Sequence, residues 1–177
     1  MIAPALLGLA LLVAAGVAGF AFVRPRLRQR LDGGAEPVRR ILLPFTGTVI
    51  SRRALDAALR LARAEDAELM PAYLAQVPMR LPLECPIPNE AGKAMVMLEA
   101  IEQRAAAQGV KVDARVERGR SYRHALARLL DSEPVDRVVV PAANSDGGEG
   151  LGGEDLLWLL EKAPAEVLIL RPAIMHK

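Results

Sequence analysis

From residue 38 onward, short apolar runs alternate with stretches of helical period, and this alternation constrains the fold more than any other feature. Ile41–Leu43 is a brief aliphatic run that ends at Pro44 and the turn formers Gly47 and Thr48. Residues 51–64 then place Ala54, Leu55, Ala58, Leu59, Leu61 and Ala62 on one stripe, the spacing of an amphipathic helix. Residues 68–75 read as a second strand in which Pro71 is a flaw, a mark of a bulge or kink. Residues 77–90 contain Pro78, Pro82, Pro86 and Pro88, which excludes regular structure there. A helix is predicted over 91–108, stopped by Gly109, and a strand over 110–117. Helix 121–130, strand 136–141, helix 154–162 and strand 166–170 complete the series. Five strands separated by four helices specify an α/β domain. Its sheet is parallel, with right-handed crossovers and helices on both faces. Such sheets take ligands at the carboxyl ends of their strands, where strand order reverses. The loops that matter are therefore 45–50 and 142–153.

The amino-terminal part has a different character. Residues 2–23 contain no charged side chain. As a helix they would extend about 33 Å, enough for a bilayer core. The basic residues follow the apolar run, as Arg24, Arg26, Arg28 and Arg30, where a secretory signal would carry them before it. The expectation is a single transmembrane helix over 1–23, a basic juxtamembrane linker over 24–37 and the α/β domain over 38–177. The four arginines then lie at the membrane surface, and the domain faces the cytoplasm from the inner membrane. Ala10, Ala14 and Ala18 add a stripe of small residues that would admit a second helix.

Composition removes several classes of function. The net charge is +2, the positive excess lying within residues 24–40 and residues 41–177 summing to −2, and aromatic residues make up 3% of the chain. A nucleic-acid-binding surface needs a basic face with aromatics, so no nucleic-acid partner is expected. Cys85 is the only cysteine and has an acid beside it, so neither a disulfide frame nor an activated thiol is expected. His124 and His176 have no metal-ligand spacing, and no metal is expected. The chain has no nucleophile elbow and no phosphate loop of the G-x-x-x-x-G-K type. No catalytic set emerges, and the chain reads as a non-enzyme.

The opening RRILLPFTGTVISRRALDAALRLARAEDAEL resembles the first strand, loop and helix of the universal stress protein domain. The stretch VERGRSYRHALARLLDSEPVDRVVVP resembles that family's third strand through fourth strand, and KAPAEVLILRP resembles its close. The resemblance implies strand order 3-2-1-4-5, a crevice between the first and fourth strands, and dimerisation, often through the last strand. It also implies where a nucleotide would sit: against Pro44, Thr46, Gly47 and Thr48 on one side, and Ala142, Gly152, Gly153 and Glu154 on the other. The nucleotide-binding members carry G-x-x-G-x9-G-[ST] after the fourth strand. Here the last glycine falls on Gly153, but the hydroxyl position is Glu154, and Pro141 and Asn144 stand near the first two glycines. Thr46 occupies the place of the acid that closes the first strand.

Helix amino termini bind phosphates through free N–H groups. This one carries Glu154 and Asp155, which satisfy the dipole themselves and repel a triphosphate. The sequence therefore predicts a vestigial crevice without cofactor, ATP being disfavoured. The domain would be a non-catalytic accessory or regulatory subunit on a membrane protein partner, or a homodimer, at the lipid bilayer. The alternative is a membrane-tethered sensor of an adenine nucleotide such as ATP or AMP.

Overall fold

The computed structural model describes residues 37–47, 50–143 and 150–171. Five strands form one parallel sheet: β1 (Arg40–Phe45), β2 (Glu68–Gln76), β3 (Arg115–Gly119), β4 (Arg137–Pro141) and β5 (Glu166–Leu170). Their order is β3-β2-β1-β4-β5, as the sequence predicted. Four helices join them: α1 (Arg52–Glu65), α2 (Pro88–Ala106), α3 (Tyr122–Ser132) and α4 (Gly153–Lys162).

Alternation along the strands sorts the core into two layers. Ile41, Leu43, Leu69, Tyr73 and Val139 face α1 and α2 and pack with Leu59, Leu98 and Ile101. Leu42, Met70, Leu74, Val138 and Val140 face the other way and pack with Leu126, Leu129 and Leu159 of α3 and α4. Because both faces are covered, β1 is buried from Ile41 to Phe45. That explains why its sequence is a continuous apolar run.

Local chemistry fixes the helix ends. Ser51 caps α1, accepting from the Ala54 amide, and Asp66 ends it in the left-handed region at φ 54°. Ser121 caps α3 by accepting from the His124 amide at 3.1 Å. Helix α2 begins at Pro88, earlier than predicted. Pro88 stands in its first turn, where no N–H is needed and the fixed φ suits the helix.

Pro71 produces no kink; β2 runs unbroken through it. Its effect falls on the neighbouring strand. The Leu69 amide donates to Lys111 O and the Asp113 amide to Leu69 O, so Leu69 turns its polar groups toward β3. By alternation, so does residue 71. Proline has no N–H to give there, and pairing lapses between the single bridge at Val112 and the start of β3 at Arg115. The strand predicted over 110–117 is shortened for this reason.

At the amino ends of the strands, Arg40 meets Glu68 at 3.2 Å, Glu133 at 2.9 Å and Asp113 at 3.7 Å. Asp136 accepts from the amides of Arg39 and Arg40 at 2.7 and 2.8 Å. Arg137 bridges Glu65 and Glu166. Arg40 thus ties β1 to β2, Asp136 ties the start of β4 to β1, and Arg137 ties β4 to β5, at the end of the sheet away from the crevice.

The expected membrane location is corrected. No helix among the described residues is long and apolar enough to cross a membrane. The segment 2–23 and the arginines at 24, 26, 28 and 30, on which that expectation rested, lie outside the described residues.

Candidate functional site

Strands β1 and β4 are adjacent and parallel, with Leu42 opposite Val138. The chain leaves β1 toward β2 on one side and leaves β4 toward β5 on the other. The carboxyl ends of β1 and β4 thus flank the switch point where ligands bind in open α/β sheets. Pro44 is buried inside β1, Thr46 is half-buried just past it, and Gly47 turns the chain at φ +71°. Thr48 lies outside the described residues.

The second wall is built by a returning loop. Ala142 and Leu151 form a parallel bridge, the Leu151 amide donating to Pro141 O and the Ala143 amide to Leu151 O, both at 2.9 Å. Gly150 makes this return possible. Its φ is +131°, and a Cβ there would lie 2.5 Å from Pro141 O. Leu151 packs partly into the core layer beneath. The loop expected over 142–153 is therefore fastened to β4 from Gly150 onward; residues 144–149 lie outside the described residues.

Helix α4 starts against this return. Gly152 stands at its cap position and makes no side-chain hydrogen bond, and a Cβ at Gly152 or Gly153 would meet nothing within 4 Å. Glu154 is exposed, whereas Asp155 is held by Arg123 of α3, whose Nε and Nη2 donate to Oδ1 at 3.0 and 2.8 Å. The same guanidinium lies 5.9 Å from the Trp158 ring centre. Of the residues named from the sequence, Pro44, Thr46 and Gly47 stand at the end of β1, and Ala142, Gly152, Gly153 and Glu154 at the end of β4 and the start of α4. Leu151, Arg123 and Trp158 were not named from the sequence, because their contacts here join distant segments.

A second polar centre went unread in the sequence. Tyr73, buried in β2, packs edge-on against Phe45 at 5.6 Å and donates its hydroxyl to Glu90 Oε2 at 2.6 Å. Lys93 donates to Glu90 Oε1 at 2.9 Å. Burial and the facing carboxylate push the Tyr73 phenol well above its ordinary pKa. The phenol and the ammonium hold Glu90 below the usual carboxylate range. Cys85 is half-buried in the connection before α2, and His124 Nδ1 accepts from the Arg120 amide at 3.1 Å, closing a turn. Among the described residues, no group of three or more His, Cys, Asp or Glu side chains is placed to hold a metal ion.

A parallel five-stranded sheet of this order, with helices on both faces and loops flanking its switch point, defines a doubly wound α/β domain. The sequence profile of the universal stress protein family matches residues 37–171, and the chain belongs to that family. Its fold is similar to that of UspA from Lactobacillus plantarum, with 18% identity and a TM-score of 0.62 over 77% of this chain and 100% of that one. A universal stress family protein from Burkholderia pseudomallei is 22% identical, with a TM-score of 0.58 over 78% and 99% of the two chains. A universal stress protein solved in complex with cAMP is 21% identical, with a TM-score of 0.56 over 78% and 100%. No curated protein matches the chain.

Proposed function

We propose that this chain is a non-catalytic universal stress domain that acts by association, pairing with a second copy through the edge formed by β5 and α4 to present a regulatory surface. One observation carries the reading. Asp155 and Trp158 mark the flank of α4 that faces α3, and Leu159 faces the core. The helical period then turns Leu157 and Leu160 to the opposite flank, beside β5. These two leucines are 60% and 57% exposed, and Leu168 of β5 is 36% exposed on the other face of the sheet. Among the described residues, β5 has no strand partner on its outer side. An open strand edge bordered by bare leucines favours pairing.

Analytical ultracentrifugation of the full-length chain tests this reading. A dimer at micromolar concentration is expected, converted to monomer by Leu157→Glu with Leu160→Glu while the circular dichroism spectrum is retained. A monomer at all concentrations would refute it.

A second reading, adenine-nucleotide binding, is favoured by the uncapped start of α4 at Gly152–Gly153 and by relatives of this fold solved with cAMP, AMP and dAMP. Glu154 and Asp155 weigh against a triphosphate and less against a monophosphate. Thermal melting with millimolar AMP, cAMP and magnesium-ATP separates the two. A shift with the monophosphates alone supports this reading, and no shift with any of the three leaves association as the function.

A further inference from the structure

A cleft of about 680 Å³ opens at the carboxyl ends of β2 and β3, and it shares no residue with the crevice between β1 and β4. Its volume is that of a small-molecule site. The starts of α2 and α3 flank it through Glu90 and Tyr122, and the proline-rich connection 77–87 forms its outer wall. That connection is built to stay in place. Arg120 Nη1 donates to Pro78 O and Leu81 O, both at 2.8 Å, and Arg118 Nη1 donates to Glu84 O at 3.1 Å. The Val77 amide donates to Gly119 O at 2.8 Å. Two guanidiniums and three prolines thus hold this concave wall in place, and Ile87 at its end packs against the core.

The lining sets the chemistry of the occupant. Pro78, Leu81, Pro86 and Ile87 supply apolar surface, and Tyr122 supplies an exposed ring for stacking. Gln76 gives one N–H to Arg120 O at 3.2 Å and keeps its carbonyl oxygen as an acceptor. Asn89 adds a second amide. Glu90 is the one acidic residue in the lining, and Lys93 and Tyr73 already compensate it. A cationic ligand would compete with Lys93, and an anionic one would face the carboxylate.

We propose that this cleft is a binding site for a neutral, flat aromatic or heteroaromatic molecule with an amide or lactam edge, its ring on Tyr122 and its edge on Gln76 and Asn89. The probes are an isosteric set: benzamide (neutral), benzoate (anionic) and benzylamine (cationic), titrated into the 15N-labelled full-length chain. Benzamide is expected to shift the amides of Gln76, Leu81, Ile87 and Asn89 saturably, with Kd on the order of 1 mM for so small a ligand. The two charged probes are expected to bind roughly tenfold more weakly, a difference of about 1.4 kcal/mol. Tyr122→Ala, at an exposed position, should weaken benzamide about three- to tenfold through lost stacking. Leu81→Trp should fill the cleft and abolish the shifts. Equal binding of all three probes, absence of saturable shifts with benzamide, or shifts mapping to Gly47, Ala142 and Gly152 would each overturn the assignment.

Discussion

Gly119 closes β3 where the first turn of α3 comes nearest the sheet, and Gly119→Ala measures how tightly that junction is packed. A Cβ at this position would lie 2.7 Å from Ser121 O and 2.8 Å from Ala125 Cα, and closer still to the Ala125 amide nitrogen. Ordinary carbon contacts begin near ~3.5 Å, so the backbone of α3 must retreat by about 0.7 Å or more. The displaced groups form the first hydrogen bond of the helix, Ala125 N to Ser121 O at 3.0 Å. Overpacking of this kind costs ~1–3 kcal/mol, and weakening that bond adds up to ~1 kcal/mol, so about 3 kcal/mol is expected. For the span 37–171 the unfolding entropy is about 0.28 kcal/mol/K, which converts the loss to a Tm drop of about 11 °C. Calorimetry of the full-length chain reads it, with Gly153→Ala as the control. Gly153 has open space around its missing Cβ and sits at the start of α4, so alanine there should raise Tm by roughly 2–4 °C. A Gly119→Ala variant melting within about 2 °C of the parent would refute the packing argument.

Tyr73→Phe removes the hydroxyl that most strongly holds Glu90 below the ordinary carboxylate range, and should cost about 1–2 kcal/mol. Because the folded pKa of Glu90 is depressed, its contribution is present above the unfolded carboxylate value and fades as pH falls through the folded one. The variant should therefore show a shallower loss of stability on acidification in urea titrations. The Tyr73 phenol is shifted upward, so its contribution is intact below pH ~10 and fades as pH rises further, a decline the phenylalanine variant should lack. Arg40→Met leaves Glu68, Asp113 and Glu133 facing one another, and should cost about 1–2 kcal/mol at low ionic strength; denaturant melts in molar salt should recover part of it. Arg123→Ala frees Asp155 and uncovers one face of Trp158, the chain's single tryptophan, so a changed emission spectrum should accompany a loss of about 1 kcal/mol. An unchanged spectrum would show that the guanidinium does not sit over the ring.

Elements made of local pattern were legible in the sequence. The stripe of α1 and the aliphatic runs of β1, β4 and β5 depend on the period of their own residues, and the strand order followed from the family resemblance. Errors arose where one residue acts on a neighbour far along the chain. Pro71 was read as a flaw in its own strand, yet its missing donor shortens β3. Pro88 was grouped with its neighbours as a breaker, although the same fixed φ starts α2. The placement of the loops at the ends of β1 and β4 was legible because loop positions follow from strand ends. Leu151 returning onto β4, Arg123 reaching Asp155, and Tyr73 meeting Glu90 were not, because each joins segments whose approach only the folded chain defines.

Pro71 interrupts the inner seam between β2 and β3, and the two outer margins of the sheet differ in the side chains they carry. Both margins are strands of five residues, but β3 carries Arg115, Glu117 and Arg118, whereas β5 has four aliphatic residues in succession. A sheet that can add a strand at only one margin cannot propagate. In the dimer proposed above, two copies joined across a two-fold axis at β5 would turn their charged margins outward, leaving a third copy no matching edge. On the pairing proposed above, growth then ends at two, because the margins differ in the side chains they present.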